Sequence, residues 1–389
     1  MTRIYVDHAA TTPMHDDVLD AMLPYLKNDF GNPSSIHQFG RETRAALDEA
    51  RRSLANHLGA KPSELVFTSG GTEADNMALF GIANAHKSKG RHVITTQVEH
   101  HAVLYACEQL EEMGFEVTYL PVNHEGRVTR DILEKHLRDD TILVSMMYGN
   151  NEVGTLQPLA EIGDMLQERD IVFHTDAVQA FGIEEVNVKT LGVDLLSISG
   201  HKINGPKGIG CLYVKANTKL QPIFYGGSQE RNRRAGTENI AAIVGLAKAA
   251  EVSYEALAEK RKHLFQLRER LIQGLQEADV SFIVNGDSEH TLPHILNVSF
   301  IGVKADAMLM NLDIAGIAAS SGSACSAGSL RPSHVLEAMN VGESRVESAI
   351  RFSFGFNNTE ADVDEIVKQV QAIYQRLLHT NSDNGGDQG

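Results

Sequence analysis

The chain is poor in cysteine, in positive charge and in long apolar runs. It holds three cysteines in 389 residues, Cys107, Cys211 and Cys325. An odd set without metal-ligand spacing implies neither a disulfide framework nor a zinc site. Asp and Glu outnumber Lys and Arg by 51 to 35, a formal net charge of −16. That balance disfavours non-specific binding to nucleic acid or to an anionic membrane, although a local basic patch can still dock RNA. No apolar run is long enough to cross a bilayer. The first residues, Ile4-Tyr5-Val6, enter a strand pattern at once and hold no signal peptide, so a cytoplasmic protein is expected. Internal repeats and low-complexity cores are also missing.

What is present is a regular alternation. Short apolar runs at 65–67, 92–95, 117–120, 142–147, 171–174 and 195–199 predict strands, and 72–86, 102–113 and 159–168 predict helices between them. Strand–helix alternation implies an α/β fold with a mainly parallel sheet covered on both faces, whose ligand site lies at the carboxyl ends of the strands. Helical patterns precede this region at 16–26 and 41–58. One long helical pattern follows it, from 240 to about 278, and is read as a link between domains. Strands at 281–284, 295–300 and 350–354 and helices at 305–311 and 360–377 predict a smaller α/β domain, completed by the N-terminal segment. The expected division is therefore a large domain over 15–258 and a small one over 1–14 and 259–379. The polar tail, 380–389, is expected to be disordered.

The stretch around which these elements are organised is Ser199-Gly200-His201-Lys202, at the end of the apolar run 193–198. Lys202 is read as an amine nucleophile suited to a Schiff base with pyridoxal phosphate, or as a solvated loop lysine. Gly70-Gly71-Thr72, between a strand and a helix, is either a phosphate cradle or an ordinary helix start. Asp176 ends another strand and can keep a pyridine nitrogen protonated, with Gln179 three residues on bonding the ring hydroxyl; its alternative is a helix cap. His100 follows the strand at 92–95, placed to stack on a ring and move protons. Asn151 follows the next strand, within an Asn-rich turn. Thr237, in a basic loop at a helix start, can bind phosphate within its own subunit or across a dimer. Arg351 lies within an apolar strand, where a guanidinium needs an anion: a substrate carboxylate or an internal partner. Residues 318–329 are Ala, Ser, Gly and one cysteine, Cys325, read as an exposed thiol on a flexible arm. Cys107 and Cys211 are read as packed.

Taken together, these motifs resemble the cysteine desulfurases of the NifS/IscS type, within the fold-type I, aspartate aminotransferase-like pyridoxal phosphate enzymes. The similarity runs from Tyr5-Val6-Asp7-His8-Ala9-Ala10-Thr11 to Arg351-Phe352-Ser353-Phe354-Gly355. It implies a large domain with a mainly parallel seven-stranded sheet and conversion of L-cysteine to L-alanine. Lys202 would be the Schiff-base lysine. Gly71, Thr72, Ser199 and His201 would surround the phosphate, with Thr237 reaching in from the second subunit of a homodimer. Asn151, Asp176 and Gln179 would hold the ring under His100, and Arg351, assisted by Asn32, would take the substrate carboxylate. Cys325 would accept the sulfur and pass it to an acceptor protein, a tRNA thiolase or an iron–sulfur scaffold. Neither a membrane nor direct nucleic-acid binding is expected. The rival readings are a selenocysteine lyase or an aminotransferase on the same scaffold, and a cofactor-free sulfur relay.

Overall fold

The computed structural model describes residues 3–322 and 332–384. In chain order the strands are β1 (Ile4–Tyr5), β2 (Leu65–Thr68), β3 (His92–Thr96), β4 (Glu116–Leu120), β5 (Thr141–Ser145), β6 (Val172–Asp176), β7 (Leu195–Ser199), β8 (Gly210–Val214), β9 (Phe282–Asn285), β10 (Ile295–Phe300), β11 (Ile317–Ala318) and β12 (Ala349–Ser353). The helices are α1 (Asp16–Lys27), α2 (Gln38–Leu58), α3 (Gly71–His86), α4 (His101–Glu112), α5 (Arg130–His136), α6 (Leu159–Gln167), α7 (Ile240–Glu255), α8 (Leu257–Glu277), α9 (Ala305–Ile314), α10 (His334–Ala338), α11 (Glu343–Glu347) and α12 (Glu360–Asn384).

The central sheet has seven strands in the order β2-β8-β7-β6-β5-β3-β4. Only β8 runs against the rest, pairing antiparallel with both β7 and β2. The expected α/β fold and mainly parallel seven-stranded sheet are therefore present. Strands β3, β5, β7 and β8 are buried at every position, as a sheet covered on both faces requires. On one side Met77, Leu79 and Ile82 of α3 and Val103 and Leu110 of α4 close over Val66, Leu143, Leu195 and Leu212. Each such side chain, fully withdrawn from water, stabilises the fold by roughly 1.5–3 kcal/mol before entropy is counted. This packing holds the strand ends, and hence the site, in place.

The C-terminal part forms a separate antiparallel sheet, β12-β10-β9. The N-terminal segment joins it: β1 pairs parallel with β11, and Asp7 bridges to Ser353. This brings Ala9 and Ala10 from the start of the chain against the strand ends of the large sheet.

Two expectations change. The helical pattern at 240–278 is two helices, broken at Ala256, whose φ of −127° and ψ of 39° leave the helical region. The two halves pack on different partners, α7 on α1 and α2, and α8 on α12, so one straight rod cannot satisfy both. The tail does not become disordered at 380, because α12 continues to Asn384. Its early acidic residues, Glu360 and Asp362, favour the helix start, and the polar residues after Leu378 carry it on to Asn384. The short helix α5 has too few apolar positions to stand out in the sequence.

Candidate active site

Chain segments leaving β2, β3, β5, β6 and β7 converge on one cavity of about 260 Å³. Its wall includes Gly71 and Thr72 after β2, His100 after β3, Asn151 after β5, Asp176 and Gln179 at and after β6, and Ser199, His201 and Lys202 at and after β7. Arg351 of β12, Gly322, and Ala9 and Ala10 close it from the C- and N-terminal sides. The carboxyl-end position expected of a ligand site in such sheets is met.

Lys202 ends a short turn, Gly200–Lys202, that follows β7 directly. Its Nζ donates to Ala9 O at 2.5 Å and to Ala10 O at 2.8 Å. The same turn is fixed by Thr12, whose Oγ1 donates to His201 O at 2.9 Å, and by a 3.2 Å contact between His201 Nδ1 and Thr11 Oγ1. The N-terminal segment thus sets where the lysine stands.

Asp176 is buried, and its Oδ1 accepts from Val178 N at 2.8 Å. Burial raises its pKa to about 6, partly offset by that hydrogen bond and by Lys202. A carboxylate in this position gains from a cation beside it. The helix-cap alternative fails, since no helix starts here. Gln179 lines the cavity, but its Nε2 donates to Ala9 O at 2.9 Å. Gly71 opens α3 where a Cβ would lie 2.8 Å from Val178 Cγ2 and 3.6 Å from Ser199 Cβ, so a larger side chain would fill the cradle.

His100 is both a helix cap and a cavity residue. Its Nδ1 accepts from Ala102 N at 3.1 Å, which places the proton of the neutral ring on Nε2. Burial first, then Lys202, lowers its pKa to about 4. It is neutral at physiological pH and presents a donor, not a charge.

Arg351 resolves into the internal alternative without leaving the site. It is 3% exposed. Its Nη1 donates to Asn151 O and its Nη2 to Asp7 Oδ1, each at 2.7 Å. The buried Nε has no partner. Asn151 therefore contributes its backbone carbonyl to the arginine as well as lining the cavity.

The chain is similar to known proteins over nearly its whole length. An aminotransferase class-V family model matches residues 4–366. A putative cysteine desulfurase, IscS 1 of Bacillus subtilis (strain 168), is 56% identical over 378 residues, 97% of this chain and 100% of its own. The chain belongs to the class-V aminotransferases, among the cysteine desulfurases. Among solved structures, a NifS-like protein superimposes with a TM-score of 0.91 at 38% identity, covering 97% of this chain and all of its own. A second, described as SspA in complex with cysteine, gives 0.80 at 37% identity over 91% of this chain and 99% of its own.

Cysteine desulfurases of this family depend on pyridoxal phosphate, and the residues present fit that group. The buried carboxylate of Asp176 suits a protonated ring nitrogen. Small residues and hydroxyls at Gly71, Thr72 and Ser199, with the imidazole of His201, suit a phosphate at a helix start. Lys202 supplies the amine.

Two predicted residues lie elsewhere. Asn32 is exposed and its Oδ1 accepts from Ser34 N at 2.9 Å, away from the cavity. Thr237 is exposed in a different cleft, with Ser69, Gly208 and Arg234, so its own protomer does not bring it to Lys202. Cys325 lies outside the described residues. Cys107 and Cys211 are buried as expected, and burial pushes both thiols up, Cys211 to about 12.

A set of buried acids was missed. Asp75 lines the cavity, and burial and the nearby Asp176 raise its pKa. Glu99 is raised by burial to about 8 while its Oε1 accepts from Thr96 Oγ1 at 2.7 Å and Met147 N at 2.9 Å. His174, lowered to about 3 by burial, lies 3.6 Å from Asp75 Oδ1 and is neutral there, so the contact is not an ion pair. A signal existed for Asp75. It falls between Ala74 and Met77 on the buried side of α3, three residues after Thr72.

Proposed function

We propose that this cavity desulfurates L-cysteine and that the sulfur leaves as a persulfide on Cys325. The observation that carries the residue assignment is the meeting of Lys202, Asp176, Gly71 and Arg351, from four different strands, around one cavity.

Pyridoxal phosphate, when bound, supplies an electron sink for the substrate α-carbon. Lys202 would hold its aldehyde carbon through Nζ, and the same amine is the base that would take the substrate α-proton. Asp176 would keep the ring nitrogen protonated, and Gly71, Thr72, Ser199 and His201 would hold the phosphate. Arg351, braced by Asp7 and the Asn151 carbonyl, binds the substrate carboxylate with its remaining donor capacity. His100, on the cavity wall, would help hold the ring and would offer its Nε2 proton to the substrate side. In sum, L-cysteine and the Cys325 thiol give L-alanine and a Cys325 persulfide. One carbon–sulfur bond breaks, one sulfur–sulfur bond forms, and no outside oxidant is needed. An acceptor or a thiol must then remove the outer sulfur before the next turnover.

A homodimer fits this reading. Phe30 and Phe39 stack 5.7 Å apart, and Ile36 beside them is 92% exposed. Their loop adjoins the 228–238 loop across a shared cleft, and Thr237 stands in the latter, exposed. A second subunit seated on this apolar patch would cover it and could receive Thr237 at its phosphate site. A large domain over 15–258 and a small one over 1–14 and 259–379 fit the separate sheets. Among the described residues no helix is long and apolar enough to cross a membrane, which fits a cytoplasmic enzyme. The acceptor is a tRNA thiolase or an iron–sulfur scaffold.

The test is to incubate cofactor-loaded protein with L-cysteine and assay alanine and sulfide, comparing the parent with Cys325→Ala and Lys202→Ala. Cys325→Ala should keep the cofactor and lose sulfur transfer. Lys202→Ala should lose the lysine-bound cofactor's visible absorbance. Sulfide release by Cys325→Ala at the parent rate would overturn the role given to Cys325.

A further inference from the structure

Gly322 stands on the cavity wall before the Cys325 segment and Ser333 follows that segment, and both lie against the side chain of Glu152. On the departing side, Ser320 and Arg351 exchange backbone hydrogen bonds, N to O at 3.2 and 2.6 Å. Gly322 follows with φ of +86°, and a Cβ there would lie 3.2 Å from Glu152 Oε2 and 3.4 Å from Glu152 Cβ and Cγ. On the returning side, Ser333 Oγ donates to Glu152 Oε2 at 2.5 Å. The same hydroxyl accepts from Leu336 N at 3.1 Å and so caps α10. The next residue, His334, donates from Nε2 to Glu99 O at 3.0 Å, one residue before His100.

Glu152 is 1% exposed. Its own backbone is fixed: its N–H donates to Asn150 Oδ1 at 2.8 Å, and its carbonyl accepts from Asn297 Nδ2 at 3.2 Å. It directly follows Asn151, whose carbonyl braces Arg351. Burial raises its pKa, partly offset by His334, by the Ser333 hydroxyl and by Arg351, and its side chain lies against Gly322 and Ser333 at the two sides of the segment.

We propose that Glu152 is a positioning residue for sulfur transfer: one rigid carboxylate sets both ends of the segment that carries Cys325 relative to Arg351 and the bound substrate. The proposal rests on the reading that Cys325 takes the sulfur. Glu152 acts on the second half of the reaction. It does not hold the cofactor or L-cysteine, so its loss separates substrate binding from thiol delivery. Glutamine keeps an oxygen that accepts from Ser333, whereas alanine keeps none.

The experiment is a single turnover of the cofactor-loaded full chain with L-cysteine, in the parent, Glu152→Ala, Glu152→Gln and Ser333→Ala. L-cysteine affinity is read from the cofactor's absorbance change, and persulfide on Cys325 from the mass of its peptide. Glu152→Ala should form persulfide about tenfold or more slowly, the order expected when a buried hydroxyl loses its hydrogen-bond partner. Its L-cysteine affinity should stay within about twofold, and Glu152→Gln should recover most of the parent rate. Ser333→Ala, which removes only the donor, should slow persulfide formation in the same direction, so the proposal stands testable even if Glu152→Ala does not fold. Parent-rate persulfide formation in Glu152→Ala or Ser333→Ala would overturn it. So would equal losses of cofactor, L-cysteine affinity and transfer in Glu152→Ala and Glu152→Gln, which would mark a general role in the fold. A parent that carries no persulfide on Cys325 would remove the underlying reading and this inference together; a parent that carries it beside unaffected variants would remove the inference alone.

Discussion

Arg351 and Asp7 are 344 residues apart in sequence and form an ion pair of 2.7 Å at the wall of the cavity, with side chains 4% and 21% exposed. The pair joins the start of the chain to β12. Removing one partner of such a pair leaves a charge with little water around it, at a cost of about 3 kcal/mol or more when burial is complete. Asp7→Ala should therefore lower the unfolding midpoint. It should also raise KM for L-cysteine about tenfold, because the arginine loses the brace that aims it. Steady-state kinetics with a thermal melt check both.

Gly71 distinguishes a steric cradle from a merely convenient helix start. A Cβ there would meet Val178 Cγ2 at 2.8 Å, the far end of one side chain that can shift by a few tenths of an ångström. Gly71→Ala should keep cofactor affinity within about threefold, while Gly71→Val should lower it by tenfold or more, since overpacking costs about 1–3 kcal/mol. Cofactor titration followed by absorbance measures the two.

Glu99 gives a pH-dependent prediction with a definite sign. Burial raises its pKa from 4.5 to about 8, so the folded state favours the protonated acid. That contribution to stability is full below about pH 4.5 and is lost as pH rises through 8. Glu99→Gln, neutral throughout, should match the parent near pH 4.5, become increasingly more stable than it up to about pH 8, and keep a constant advantage above that. Urea unfolding midpoints across this range check the slope.

The legible part of the molecule was local. Lys202, Asp176, Gly71 and His100 each follow an apolar run directly, so strand ends alone placed them near one another. The Asp7–Arg351 pair, the Glu152 contacts with Gly322 and Ser333, and the acids Asp75 and Glu99 depend on segments brought together from far apart. Nothing in a single stretch announces them. The break at Ala256 was hidden for a related reason: the pattern on either side is helical, and only the different packing partners of α7 and α8 separate the two. The sequence offered Arg351 either a substrate carboxylate or an internal partner, and the fold supplies internal partners at Nη1 and Nη2 while Nε stays unpartnered.

His100 should be neutral and protonated on Nε2 across the working pH range, because Ala102 N donates to Nδ1 and burial holds the pKa near 4. Nitrogen-15 spectra of the imidazoles should show that tautomer from about pH 5 to 8. His100→Ala should lower kcat without moving any limb of the pH–rate profile near 6.5, the range of an ordinary histidine. A shift of such a limb would mean that His100 titrates there.

The central claim is that Lys202 is the amine joined to pyridoxal phosphate. Borohydride reduction of the cofactor-loaded protein, followed by peptide mass mapping, tests it most directly. The label is predicted on the peptide containing Lys202, at close to one per chain. Label on a different lysine, or no label at all in protein that still converts L-cysteine to L-alanine, would contradict the account.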